Sequence, residues 1–246
     1  MRWFRQRDEG VPRGPGGSPH LSCASSLNVS PGGCVRTGVS RICPLVCLLS
    51  VSAFAADAQL DTLLKTVEQR YDRARTLQVL FREDYTRVGH ARRTERGVLE
   101  LRKPGRMRWE YTDPKGKLAV CDGKNFWTFY PGENRVEKLP LRESEDSPLA
   151  FLLGKLHFDK EFRNLQGKPE GRDTRIAAEP KTDSLPYSAV EFLVTPEGRI
   201  REVKVTQFDN SVMGYTFDQE QVNPPLGDKL FQFQAPQGAE VVEAAK

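Results

Sequence analysis

Cysteine is almost missing from the part of this 246-residue chain that has the makings of a fold. Of five cysteines, Cys23, Cys34, Cys43 and Cys47 precede residue 57, which leaves Cys121 alone in the remainder. An intramolecular disulfide is therefore excluded there. Apolar runs are short, none near the roughly 18 residues of a membrane span. Histidine is scarce too. His90 sits beside a glycine in a polar stretch, and His157 lies between Leu156 and Phe158. Neither has a Cys, Asp or His neighbour at a metal-ligand spacing, so the sequence predicts no metal and no cofactor. G-x-S-x-G, P-loop and G-x-G-x-x-G motifs are absent. So is an excess of one charge: residues 1–56 hold six of the 37 basic and two of the 33 acidic side chains, leaving 31 of each in residues 57–246. A formally neutral remainder offers no basic face for phosphates, which speaks against nucleic acid as a partner.

The first 56 residues divide in two. Residues 1–38 are rich in Gly, Pro, Ser and Arg without periodicity, and are read as a non-native or disordered extension, with translation starting near Val39. Residues 39–56 have the pattern of a secretory signal peptide: Arg41, an apolar stretch too short to span, and the small residues Ala53 and Ala55 at an A-x-A site. Cys43 and Cys47 follow Ile42 and Val46 rather than a small residue, so the product is expected to be soluble and not lipid-anchored. Residues 57–246 form one domain long enough to bury a core.

That domain opens with a helical pattern. Leu60, Leu63, Leu64, Val67, Tyr71 and Ala74 recur at three- and four-residue spacings, predicting an amphipathic helix over 58–75 with Asp57 as its cap. The period then becomes two, over 77–87, 94–101, 106–112, 117–121, 125–130 and 135–139. Pro104-Gly105, Asp113-Pro114-Lys115-Gly116, Asp122-Gly123 and Pro131-Gly132 separate these runs as turns. Connections this short pair strands antiparallel. Two helical stretches are predicted at 148–156 and 157–165. Alternation returns at 175–178, 187–195, 200–208, 211–220 and 229–234. The fold class is thus mainly β with helices (α+β), with about eleven antiparallel strands. A sheet that wide must curl, and three helices with one apolar face each must cover its concave side.

Aromatic residues are what the domain has in quantity: two Trp, eleven Phe and six Tyr. Many take alternate strand positions, as do Met107, Trp109 and Tyr111, or Phe126, Thr128 and Tyr130. The intervening residues are often charged, as with Arg106, Arg108 and Glu110. One wall of the sheet is therefore expected to be apolar and the other wet. The wall is read both as a packed core and as the lining of a cavity for an apolar ligand. Cys121 is the one candidate nucleophile, and a hydrolase built on it needs a base such as His157 nearby.

Three ordered segments carry a resemblance to a known family. Leu99-Glu100-Leu101-Arg102-Lys103-Pro104-Gly105-Arg106-Met107-Arg108-Trp109-Glu110-Tyr111, then Asp122-Gly123-Lys124 with Trp127 and Tyr130-Pro131, then Ser147-Pro148-Leu149-Ala150-Phe151-Leu152-Leu153 resemble the LolA family of periplasmic lipoprotein carriers. The likeness runs from about residue 58 to 240. It implies an unclosed half-barrel with a three-helix lid over an apolar cavity. It implies a protein without catalytic residues, a monomer when empty, that takes acylated lipoproteins from an inner-membrane lipoprotein-releasing ABC transporter toward the outer membrane and a receptor there. The acyl cavity it implies is lined by Leu99, Leu101, Met107, Trp109, Tyr111, Phe126, Phe151 and Leu152. Family members carry an Arg before the motif proline as a lid latch. Here Lys103 takes that place beside Arg102, and strand alternation points the two to opposite faces. A lipid-binding or lipoprotein-sensing module of the same fold is the alternative reading.

Overall fold

The computed structural model describes residues 51–141, 149, 156–183 and 185–243, with side chains from residue 58 onward. Helix α1 (Val51–Arg73) leads into β1 (Thr76–Thr86). There follow β2 (Arg93–Arg102), β3 (Arg106–Asp113), β4 (Leu118–Asp122), β5 (Asn125–Tyr130) and β6 (Arg135–Pro140). The short helix α2 (Phe158–Glu161) precedes β7 (Phe162–Glu170), β8 (Asp173–Pro180), β9 (Tyr187–Val194), β10 (Ile200–Gln207), β11 (Val212–Val222) and β12 (Glu240–Glu243).

All twelve strands belong to one sheet in the order β12-β6-β5-β4-β3-β2-β1-β11-β10-β9-β8-β7. β7 and β12 do not meet, so the sheet stays unclosed. β1 to β11 pair antiparallel, and β12 joins β6 in parallel. The expected strand count is thus close, but its composition differs. Residues 229–234, read as a strand, instead form a 3-10 turn (Asp228–Phe231) and irregular chain. Phe231 is fully buried there, and the Leu230 carbonyl accepts from Arg108. β12 escaped the sequence reading because four residues bearing two glutamates carry almost no alternating signal.

Helix α1 buries Leu64, Val67, Tyr71 and Ala74, the predicted stripe. It also runs on through residues 51–56, so Asp57 is an interior helical residue here and not the expected cap. The helix predicted over 157–165 stops at Glu161. Phe162 has extended backbone (φ −124°, ψ 153°), and both Phe158 and Phe162 pack their rings against Phe192. Two phenylalanines four apart mimic a helical period while one opens a single helical turn and the other opens β7. The helix predicted over 148–156 lies outside the described residues apart from Leu149 and Leu156, both buried.

The convex side of β3 to β6 is drier than expected. Val120 and Val136 are fully buried, and Trp127 stacks on Phe233 at 5.3 Å. The chain between β11 and β12 covers them. The charged alternate positions of β3 hold it there, Arg106 pairing with Asp228 and Arg108 donating to Leu230.

Candidate functional site

Antiparallel register lines up the concave wall in rows. Leu77, Leu101, Met107, Cys121, Phe126 and Leu139 face one another in turn across β1 to β6. The next row is Val79, Leu99, Trp109, Ala119, Thr128 and Glu137. Beyond it, Phe81 meets Gly97, which meets Tyr111. Gly97 is required by space: a Cβ there would stand 2.1 Å from the Glu110 carbonyl oxygen and 2.8 Å from the Phe81 ring. The gap lets Phe81 make edge contacts with Trp109 at 4.6 Å and Tyr111 at 5.1 Å.

Six of the expected lining residues therefore share one face and one continuous core: Leu99, Leu101, Met107, Trp109, Tyr111 and Phe126. Phe151 and Leu152 lie outside the described residues. Two voids against α1 each have about 10 Å³ of free space, room for about one water. One is lined by Tyr71, Leu77, Val79, Leu99, Ile200, Phe217 and Glu220, the other by Tyr71, Ala74, Leu77, Leu101 and Lys103 among others. A drug-sized ligand needs some 300 Å³ or more. Where the C-terminal part of α1 packs on β1 and β2, the voids among the described residues are too small for such a ligand.

A set of polar contacts among the described residues holds the helix down. Arg70 pairs with Glu220, its Nε donating at 3.0 Å, and the Glu220 side chain is 3% exposed. Tyr71 donates its hydroxyl to Glu220 at 2.8 Å and accepts from the Ile200 amide at 3.0 Å. Burial and the Glu220 charge push the Tyr71 phenol well above its usual range, so it stays a donor. Lys103 Nζ donates to the Tyr71 carbonyl at 2.8 Å, at the C-terminal end of α1 where a cation suits the helix dipole. Arg102 points the other way, to the Leu226 carbonyl at 3.0 Å and Asp228 at 2.8 Å. Of the two basic residues, Lys103 is the one that touches the covering helix.

Arg70, Tyr71 and Glu220 as a polar cluster escaped sequence reading. Strict alternation from Met213, Tyr215 and Phe217 sends Glu220 outward. A register shift opposite Gln78 and Leu80, with Gln219 at φ 53°, turns it inward instead. The acidic Glu191 and Lys204 pair of β9 and β10, by contrast, stays partly exposed, as alternation predicts.

Cys121 is fully buried. Its thiol donates to the Gly105 carbonyl at 2.9 Å, and burial pushes its pKa up to about 11. That is the reverse of the activation a nucleophile needs. His157 is engaged elsewhere: its ring and the carboxylates of Glu68 and Asp159 have ligand atoms within 4.8 Å of one another. Glu68 reaches this grouping from α1, a proximity that residue spacing does not reveal. The Glu68 carboxylate accepts from the Phe158 amide at 2.8 Å and so ties α2 to α1.

The rim of the wall at the far ends of β1 to β3 is charged. Glu83 faces inward beside Tyr111, whose hydroxyl lies 3.5 Å away, while Glu95 pairs with Lys117. Burial pushes the Glu83 carboxyl up to about 7. A carboxyl whose folded pKa is raised stabilises fully below its unfolded pKa, and that contribution is lost as pH rises toward 7. Glu83→Gln is therefore expected to leave thermal stability unchanged at pH 4 and raise it at pH 8, by on the order of 1 kcal/mol or a few degrees. Equal melting-temperature shifts at both pH values would contradict this.

No described helix is long and apolar enough to cross a membrane. The sequence profile of the family described as outer membrane lipoprotein carrier protein LolA matches residues 72–234. The outer-membrane lipoprotein carrier protein of Chromobacterium violaceum is 28% identical over 203 residues, covering 81% of this chain and 98% of that protein. Its counterpart in Nitrosospira multiformis is 29% identical over 176 residues, 70% of this chain and 84% of the relative. Among solved structures, a LolA superfamily protein from Nitrosomonas europaea aligns with 71% of this chain and 97% of its own, at 12% identity and a TM-score of 0.41.

Proposed function

Because this chain belongs to the LolA family of outer membrane lipoprotein carrier proteins, we propose that its concave wall takes the acyl chains of lipoproteins in place of α1. It is a periplasmic lipoprotein chaperone, and its family is one of carriers rather than enzymes. The observation that carries the proposal is a continuous apolar wall on which α1 docks, fastened there by Arg70, Tyr71 and Lys103 among others.

Magnitudes favour such an exchange. Each methylene removed from water contributes roughly 0.8 kcal/mol, so a chain of about sixteen carbons contributes about 12. The helix withdraws Leu64, Val67 and Tyr71 from the core, at roughly 1.5–3 kcal/mol each. An arriving lipid thus offsets the opening, and an empty carrier closes again. Lys103 acts as a latch on the Tyr71 carbonyl, with a single ammonium where the family's arginine brings a planar fork.

Export follows from the proposed signal peptide at 39–56, with residues 57–246 as the working domain and 1–38 outside it. The partners on this reading are acylated lipoproteins, an inner-membrane lipoprotein-releasing ABC transporter and an outer-membrane lipoprotein receptor, with the empty carrier a monomer. Mass spectrometry of the protein purified from its native periplasm tests it. Copurifying acylated protein is expected. Free lipid with no protein attached moves the duty to a lipid-binding module of the same fold.

A further inference from the structure

The row that crosses the wall from β1 to β6 changes character at one position. Leu99, Trp109 and Ala119 are apolar, Thr128 follows on β5, and Glu137 ends the row on β6. Thr128 is 3% exposed and its hydroxyl has no hydrogen-bond partner. An unpaired buried hydroxyl costs free energy that a valine of the same shape would avoid. Beyond it, the Tyr130 hydroxyl lies 3.4 Å from Glu137, so the wall turns polar on that side.

This gradient matches an amphiphile. A ligand whose hydrocarbon lies along Leu99, Trp109 and Ala119 brings its first polar atoms to β5. We infer that the Thr128 hydroxyl donates a hydrogen bond to the ester carbonyl oxygen of an acylated glyceride, making Thr128 the residue that distinguishes an ester-linked lipid from bare hydrocarbon. The inference rests on the carrier reading and adds to it a polar anchor at a stated atom. The fold itself provides that donor with no partner; a bound ester carbonyl satisfies it. The hydroxyl is then a selectivity device whose cost falls on the empty state.

The test compares two synthetic probes, a diacylglyceryl-cysteine lipopeptide with ester-linked palmitoyl chains and its dialkyl ether analogue. Both are titrated against the mature protein, Thr128→Val and Thr128→Ser by displacement of an environment-sensitive dye. The wild type is expected to prefer the ester by about 5- to 10-fold, the strength of one hydrogen bond. Thr128→Ser should keep the preference. Thr128→Val should bind both probes alike, with a melting temperature no lower than the wild type's. Equal binding of both probes by the wild type, or an ester preference surviving in Thr128→Val, overturns this inference and leaves the carrier reading intact. Failure of the wild type to bind either probe overturns both.

Discussion

Met107→Glu is expected to reduce lipopeptide binding by 100-fold or more while the domain keeps a cooperative unfolding transition. Met107 is 6% exposed, and it faces Leu101 on β2 and Cys121 on β4 in the apolar row that an acyl chain would cover. A carboxylate there must either stay hydrated, which keeps the hydrocarbon off the wall, or be buried at a cost of several kcal/mol. The sheet survives because its backbone pairing does not depend on that side chain, whereas the apolar surface does. Met107→Leu conserves apolar volume and should bind within about 10-fold of the wild type, since such exchanges cost less than roughly 1.5 kcal/mol. Normal binding by Met107→Glu would place the acyl chains elsewhere.

Arg70→Ala is expected to release α1. Removing the guanidinium leaves Glu220 buried without its cation, a loss of about 3–5 kcal/mol for a broken buried pair. The contact sits between helix and sheet, so the loss falls on docking of α1 rather than on the strands. Amide hydrogen exchange across 60–74 should speed up by 100-fold or more, with strand amides little changed, and a hydrophobic dye should bind the empty variant strongly. Unchanged exchange in α1 would mean that apolar burial of Leu64 and Val67 alone holds the helix.

Much of the fold is legible from period and punctuation. The run 125–130 matches β5 residue for residue, and β1 to β6 each fall within a residue or so of their alternating patterns. The reason is local: β2 to β6 are separated by Pro-Gly, Asp-Pro or Asp-Gly turns whose backbone preferences act within four residues. The wall was legible for the same cause, since alternation places Leu99, Leu101, Met107, Trp109, Tyr111 and Phe126 on one side.

What was hidden depends on chain segments far apart in sequence. Whether the wall encloses a cavity or is a packed core is a matter of how helices and a curved sheet fit, and no strand or helix pattern contains it. The bulge at Gln219 reverses the facing of Glu220 without any glycine to announce it. Phe231 and Phe233 alternate like a strand, yet Phe231 is buried in a 3-10 turn beside β3 and β4 and Phe233 stacks on Trp127 on the convex side. The resemblance carried the choice between a filled core and a lipid site, which alternation alone left open.

The central claim is that acyl chains lie on the concave wall against which α1 packs. A diacylated lipopeptide carrying a photoactivatable diazirine near the end of one chain tests it directly, with the adducts mapped by mass spectrometry. The account predicts crosslinks to Leu99, Met107, Trp109 and Phe126, together with faster hydrogen exchange in 60–74 upon loading. Crosslinks to Val120, Trp127 or Phe233 on the convex face, with α1 exchange unchanged, would contradict it.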